Sequence, residues 1–184
     1  MIRHEKMTGG ATLAALLLAP LPAAAQQPAP WADESRKTTC VYDGVMATAG
    51  QGGLTAARLD AIVTGCRQRF DWTEAQGRLG ALTAQAMLEM RLASADAIEA
   101  GVDRAVIRAA FETFSREDIV HLQLNGAELA EGSRDIAGRA AAQVAERGLR
   151  GEAADKAALA VVRQLIATRI LAEFSVELSP ENQP

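Results

Sequence analysis

Histidine and cysteine are scarce in this chain, which leaves little of the usual chemistry of catalytic sites. Among 184 residues there are two histidines, His4 and His121, and two cysteines, Cys40 and Cys66. The cysteines do not form the C-x-x-C arrangement that is typical of redox-active pairs. The spaced glycines form no phosphate-binding pattern, because no Gly-Lys-Ser/Thr follows them. We therefore predict no cofactor, and the sequence leans against an enzyme.

Aromatic residues are few as well, and no segment alternates apolar and polar residues as a β-strand does. Only four Phe, two Trp and one Tyr are present. Apolar residues recur instead at helical spacing, for example at Leu59, Ile62, Val63 and Cys66. We predict an all-α fold, a single-domain helical bundle of five to seven helices within residues 32–178.

Lysine is nearly absent, and the basic residues, mostly arginine, form no continuous stripe. The formal net charge is −4, with 19 basic against 23 acidic residues. A mildly acidic chain without a basic stripe argues against nucleic acid as a partner. It also argues against electrostatic docking on an anionic membrane. We attach no function to the excess of arginine over lysine.

The first 25 residues have the pattern of a secretory leader. Arg3 and Lys6 precede a short apolar run at residues 11–19, and three alanines end the segment at residues 23–25. The apolar run is shorter than the roughly 20 residues that span a bilayer. We predict a cleaved signal peptide at residues 1–25, with a retained N-terminal anchor as the alternative.

Cleavage of the leader would leave a mature chain that begins at residue 26. A flexible tether is predicted at residues 26–31 and a disordered tail at residues 179–184, on either side of the helical domain. No second long apolar run follows the leader, so we expect no stable membrane span after cleavage and a periplasmic or secreted location. Loss of His4 would leave His121 as the only histidine, which excludes zinc sites built on two or three histidines. We predict no metal site.

Capping signals divide the domain into helices. Thr73 and Gln76 form a T-x-x-Q capping box, and Ser94 and Ser115 are expected to cap two further helices. After a predicted break, Ser133 should cap the next segment. Three predicted helices span residues 33–49, 55–70 and 73–92, and the next two begin at residues 94 and 115. The last two span residues 133–147 and 152–177.

The last predicted helix is the most apolar segment of the domain. Leu159, Val162, Ile166 and Ile170 fall on one line along it. Such broad apolarity predicts a central helix that the others surround. Trp72 directly precedes the capping box, where an apolar residue commonly packs onto the helix that follows.

The two cysteines favour a structural disulfide. An even count behind an export leader is typical of disulfide bonding. Cys40 and Cys66 lie at similar distances before and after the glycine-rich turn at residues 50–53, so an antiparallel hairpin would place them side by side. We predict that the bridge joins the first two helices. Two free buried thiols are the alternative.

Three further features are candidates for functional sites. Asp118 and His121 are spaced i, i+3 and therefore share one helix face, but a solvated histidine near acidic residues is the preferred interpretation. Trp31 is a possible contact for a partner, or a lid on the core. Paired carboxylates such as Glu117 and Asp118 are best explained as helix-surface charge.

These features predict an exported, non-catalytic helical protein that binds or stabilises a protein complex. The partner would be another envelope protein or a second copy of this chain. One alternative is a carrier of an apolar small molecule or lipid, with Met46, Met87 and Met90 lining a pocket. A second alternative is a hydrolase that uses carboxylates.

Overall fold

The computed structural model describes residues 30–49 and 55–179 of the chain. Within these residues the fold is all-α, as predicted, with one two-stranded antiparallel sheet. The predicted leader, most of the tether, the glycine turn at residues 50–53 and all but the first residue of the tail lie outside this range. The helices are α1 Pro30–Ala49, α2 Ala56–Phe70, α3 Glu74–Glu99, α4 Arg104–Phe111, α5 Arg116–Val120, α6 Asp135–Glu146 and α7 Gly151–Glu177. The strands are β1 Leu124–Asn125 and β2 Glu128–Leu129, followed by a 3-10 turn at Glu131–Ser133.

Helix α7 is the centre of the bundle, as its sequence predicts. It packs against α1, α3, α4, α5 and α6, most extensively against α3. Val162, Ile166 and Ile170 are buried on α7. Leu159, which the sequence placed on the same buried line, is instead 48% exposed. The inner face is carried at this level by Ala157 and Ala160, whose small side chains allow the neighbouring helices to approach closely.

The core divides into two clusters. We call the first the stapled cluster: Val41, Val45, Val63, Cys66, Trp72, Ala84, Met87, Phe174 and Leu178. It joins α1 and α2 to the first half of α3 and the end of α7. The second, the alanine cluster, lies among α3 to α7 and contains nine buried alanines: Ala86, Ala93, Ala97, Ala110, Ala127, Ala140, Ala157, Ala160 and Ala167.

The predicted disulfide is present and joins α1 to α2. Cys40 and Cys66 are bonded, with their Cα atoms 6.0 Å apart. No free cysteine remains in the described residues. A disulfide of this kind indicates an oxidising, non-cytosolic environment. In the part of the chain that the structure describes, none of the helices is long and apolar enough to cross a lipid bilayer.

Trp72 packs onto the helix that follows it, as predicted. Its ring meets Phe174 edge to face, with ring centroids 5.2 Å apart, and stacks on Phe70 at 6.2 Å. Gly80 of α3 allows this close approach, because a Cβ atom there would lie 2.9 Å from the Trp72 ring. The predicted capping box of Thr73 and Gln76 is also formed.

The prediction of a helix boundary at Ser94 is wrong. Helix α3 continues from Glu74 to Glu99, and the Ser94 hydroxyl donates a hydrogen bond of 2.8 Å to the Met90 carbonyl of the preceding turn. Serine satisfied in this way remains inside a helix. The next helix, α4, begins ten residues later and is capped by Asp103, whose carboxylate accepts from the Ala105 amide.

Ser133 does not cap the following helix either. Its hydroxyl accepts a hydrogen bond of 2.8 Å from the Gln123 amide, and α6 begins after Arg134 without a side-chain cap. This bond helps to hold the hairpin of β1 and β2, which the sequence did not predict. Gly126 makes the hairpin turn with a positive φ of 63°.

Helix α1 begins three residues earlier than predicted. It includes Pro30 and Trp31, which the sequence assigned to the tether. Proline is favoured in the first turn of a helix, because its missing amide hydrogen has no partner there in any case. The side chain of Trp31 lies outside the described part of the structure, so its role as a partner contact stays a prediction.

Candidate functional site

A groove of about 420 Å³ opens between α3, α4 and α7. We call it the arginine groove, because three arginines line it together with apolar side chains. Its volume lies within the range of about 300 to 1,000 Å³ that is common for small-molecule sites. The lining residues are Met90, Arg91, Ser94, Ala95, Ile98, Arg104, Ile107, Arg108 and Gln164.

Helix α4 supplies two of the arginines and part of the floor. Ile107 is buried and belongs to the alanine cluster, whereas Arg104 and Arg108 are exposed. Residues four apart lie on the same side of a helix, so the two guanidinium groups flank one stretch of the groove. Arg104 and Arg108 therefore place two positive charges beside the buried side chain of Ile107.

Helix α3 supplies the opposite wall and the space. Ser94 and Ala95 have short side chains, which do not fill the gap between α3 and α4. Met90 and Ile98 are half-buried and add apolar surface above and below them. The open volume therefore has a sequence cause: two small residues stand opposite the long arginine side chains.

The charges of the groove are not neutralised by the fold. Among the described residues, Arg104 and Arg108 make no ion pair or side-chain hydrogen bond that the structure shows. Arg91 donates a hydrogen bond from its Nη1 to the neutral thioether sulfur of Met46 at 3.0 Å. Among the described residues that line the groove there is no carboxylate. The site is thus cationic, with an apolar floor.

Arg163 of α7 differs from the groove arginines, because it forms ion pairs that stabilise the fold. Its Nη1 lies 2.8 Å from Glu89 and its Nη2 lies 2.9 Å from Glu128. Nη1 also donates to the Ala127 carbonyl at 3.0 Å. Arg163 therefore ties α7 to α3 and to the β-hairpin, and its charge is compensated. Within the described residues, none of the groove arginines has a carboxylate partner.

Asp118 is held by structural contacts. Its Oδ1 lies 2.6 Å from the Arg139 guanidinium, and its Oδ2 accepts bonds from the Ser115 amide at 2.8 Å and hydroxyl at 2.9 Å. The Asp118 amide in turn donates to the Ser115 hydroxyl at 3.1 Å, and this bond and the one from the Ser115 amide form a capping box at the start of α5. The hydrogen bond from Arg139, followed by those from Ser115, holds the pKa of Asp118 well below its usual value. Such a carboxylate is a poor general base at neutral pH, since it has little tendency to take up a proton.

His121 lies at the end of the same short helix. It is exposed, and its Nδ1 lies 2.9 Å from the Glu117 carbonyl oxygen. Both residues border a cavity of about 230 Å³ between α5 and α6, but Asp118 directs its oxygens to Arg139 and Ser115. The helix-face proximity that the i, i+3 spacing predicts does not create an Asp–His dyad.

The two cysteines and Glu128 line neither cavity. Cys40 and Cys66 are bonded to each other and carry no free thiol. Within the described residues, no group of three His, Cys, Asp or Glu side chains has the geometry to hold a metal ion. Glu128 is paired with Arg163, which accounts for one of the paired carboxylates as surface charge.

Comparison of the chain with protein-family models, curated proteins and solved structures gives no match. The functional assignment therefore rests on the geometry of the chain itself.

Sequence reasoning missed the three groove arginines. It attributed arginine to overall composition and attached no function to it. The available signal was local: Arg104 and Arg108 stand one helical turn apart and bracket Ile107 in a short, strongly amphipathic segment. Arg91 is contributed by a different helix, so no spacing in the sequence connects it with that pair.

Proposed function

We propose that this protein is a non-catalytic binding protein that carries a small apolar molecule in the arginine groove. The observation that carries the proposal is the groove itself. It combines a volume suited to small molecules with a half-buried apolar wall and a few convergent polar groups.

The contacts of Asp118 support binding over hydrolysis. A carboxylate that already accepts bonds from Arg139 and Ser115 has little freedom to activate water. In contrast, the guanidinium groups of Arg104 and Arg108 have no ionic partner among the described residues and can meet a ligand. Arginine does not deprotonate at physiological pH and therefore serves better as a binding group than as a proton carrier.

We further propose that the protein acts in the periplasm or outside the cell after removal of residues 1–25. The Cys40–Cys66 bridge supports this location, since structural disulfides persist in oxidising compartments. The leader pattern of the sequence supplies the route of export.

The neutral fluorescent probe N-phenylnaphthylamine tests the carrier function. We expect a saturable rise in fluorescence with the oxidised protein, because the probe moves from water to an apolar wall. Ala95→Phe should abolish the rise by filling the groove. Ala172→Phe is the matched control, because Ala172 is exposed on α7 and does not line the groove. Failure of the wild-type protein to bind this or any other apolar probe would overturn the proposal.

A protein-binding role is the second candidate, and one apolar face favours it. Leu59 and Val63 of α2 and Leu88 of α3 line a second groove of about 450 Å³. Leu92 follows Leu88 by one turn and is 55% exposed. The half-buried Leu59 and Leu88 and the exposed Leu92 give α2 and α3 apolar surface that suits another envelope protein or a second copy of this chain.

Leu92→Glu distinguishes this second role from the first. Sedimentation of wild-type protein over a range of concentrations should reveal self-association, and pull-down from a periplasmic extract should reveal a different partner. The substitution should remove either complex and leave binding of N-phenylnaphthylamine unchanged. A monomeric protein that captures no saturable partner would contradict the protein-binding role.

A further inference from the structure

We propose that the arginine groove selects amphipathic anions: a linear apolar chain that ends in a carboxylate or a phosphate. This inference rests on the proposed carrier function and adds the chemical class of the ligand. Arg104 and Arg108 would bind the headgroup, while Met90, Ile98 and Ile107 would contact the chain.

The charge of the groove favours an anionic ligand. Three guanidinium groups line one groove, and the two on α4 lack an anionic partner among the described residues. Two cations one helical turn apart on α4 would both attract an anion that binds beside them. Guanidinium groups also match carboxylate and phosphate oxygens geometrically, because they can donate two parallel hydrogen bonds.

The acidic residues nearby are engaged elsewhere. The Asp103 carboxylate caps α4 by accepting from the Ala105 amide at 2.8 Å. On α3, Asp96 and Glu99 act on Lys156, whose pKa is raised chiefly by its hydrogen bond to Glu152 and further by these two charges. None of the three acidic residues Asp96, Glu99 and Asp103 lines the groove.

The apolar floor beside the charges favours a ligand with an apolar chain. Ile107 is 5% exposed at the base of the groove, and Met90 packs against the same alanine cluster. A free inorganic anion would leave this surface in contact with water, whereas a ligand with an apolar chain would cover it. Guanidinium is more weakly hydrated than ammonium, so arginine tolerates such an apolar neighbour better than lysine does.

The size of the site favours one small molecule. A groove of about 420 Å³ holds one small molecule and offers no extended basic track. Nucleic acid would require a basic stripe, which an acidic chain of net charge −4 does not supply. The chemistry shared by fatty acids and by single-chain lipid phosphates therefore fits best, and these two sources are separated by experiment.

Titration calorimetry with decanoate, decyl phosphate and decanol tests the inference on the oxidised protein. We expect saturable binding of at least one anion, with an affinity at least about tenfold above that of decanol, since charge-assisted hydrogen bonds are stronger than neutral ones. Added salt should weaken binding of the anion and leave decanol unaffected. Shortening the chain should lower affinity by up to about fourfold per methylene removed.

The decisive variant is Arg104→Gln/Arg108→Gln. It should lower anion affinity by about tenfold or more and change decanol affinity by less than about threefold, because only the headgroup contacts are lost. Arg116→Gln/Arg134→Gln is the matched control. It removes the same charge from exposed positions outside the groove and should leave all three affinities unchanged.

The outcomes separate the two proposals. Equal affinity for decanol and both anions would overturn the inference and leave the carrier function intact. Absence of binding by all three, together with failure of N-phenylnaphthylamine, would overturn the carrier function as well. A preference for decyl phosphate over decanoate would assign the ligand to the phosphate class, and the reverse order would assign it to the carboxylate class. Saturable binding of an acidic peptide in place of all three ligands would also contradict the inference.

Discussion

The two core clusters of this protein are built by different means. The stapled cluster has one buried alanine and relies on the Cys40–Cys66 bond and on the contact of Trp72 with Phe174. The alanine cluster has nine buried alanines and no covalent link, and its helices pack through small side chains. One end of the bundle is therefore fixed by a covalent bond and an aromatic contact, and the other by noncovalent packing of alanines with larger apolar side chains.

The difference bears on function because the arginine groove and the cavity between α5 and α6 both lie at the alanine end. Small residues on helix surfaces bring some backbones together and leave gaps where no long side chain compensates. At the arginine groove, Ser94 and Ala95 leave such a gap opposite Arg104 and Arg108. At the cavity beside α5, Asp118 and Arg139 form an ion pair with each other. The arginines of the arginine groove therefore remain available to a ligand, whereas the charges beside α5 stabilise the fold.

Removal of the disulfide should have the largest effect on stability. Cys40→Ala/Cys66→Ala should lower the free energy of unfolding by about 3.5 kcal/mol, because it releases a closed loop of 26 residues in the unfolded chain. Urea denaturation measures the total loss. Hydrogen exchange should show reduced protection in α1 and α2 and little change in α6. An equal loss of protection in every helix would contradict the separation of the two clusters.

Overpacking of the alanine cluster should cause the second-largest loss of stability. Ala160→Leu should lower the free energy of unfolding by about 2 kcal/mol, because Ala160 is fully buried where α7 meets its neighbours. Leu159→Ala is the control at the adjacent exposed position and should change stability by less than about 0.5 kcal/mol. Thermal and urea denaturation of both variants provide the comparison. A neutral effect of Ala160→Leu would show that the cluster is loosely packed.

Asp118→Asn should have a smaller effect that depends on pH. We expect a loss of about 1 kcal/mol at neutral pH, since the charge-assisted contact with Arg139 is removed while the cap is partly retained. Because the pKa of Asp118 is lower in the folded state, its contribution is complete above the unfolded value near pH 4 and declines as pH falls toward the folded pKa.

The difference between wild type and Asp118→Asn should therefore shrink as the pH is lowered below about 4. Urea titrations at several pH values measure this trend. A double-mutant cycle with Arg139→Gln should show that the two losses are not additive. A constant difference across the acidic range would show that the ionised carboxylate contributes nothing through this contact.

Arg104→Gln/Arg108→Gln should have the smallest effect on stability. We expect a change of less than about 0.5 kcal/mol, because both side chains are exposed and the fold gives them no ionic partner. Urea denaturation checks this expectation in the absence of ligand. Strong destabilisation would mean that these arginines serve the fold, which would remove the main contrast with Asp118.

Much of the secondary structure followed from local signals. Thr73 with Gln76, and Ser115 by itself, correctly predicted two helix starts, because their side chains accept hydrogen bonds from amides only three residues away. Ser94 and Ser133 were also predicted to cap helices, but neither of them does. Their hydroxyls found other partners, the Met90 carbonyl and the Gln123 amide, and the second of these is a contact between turns ten residues apart.

The candidate site was less predictable than the fold. The sequence suggested Asp118 and His121 as a candidate pair because they lie three residues apart. In the structure, Asp118 instead forms an ion pair with Arg139 of α6. The arginine groove draws Arg91, Arg104 and Gln164 from three helices. No periodicity in the sequence brings such residues together, because their proximity depends on how α3 and α4 lie against α7.

The sequence by itself determined the helical character, the central position of α7 and the pairing of the only two cysteines. These properties depend on local hydrogen bonding, on the period of apolar residues and on a choice among very few partners. Tertiary structure alone decided which charges are satisfied and which remain available. That outcome depends on distances between side chains of different helices, and those distances are set by the close packing of buried alanines around α7.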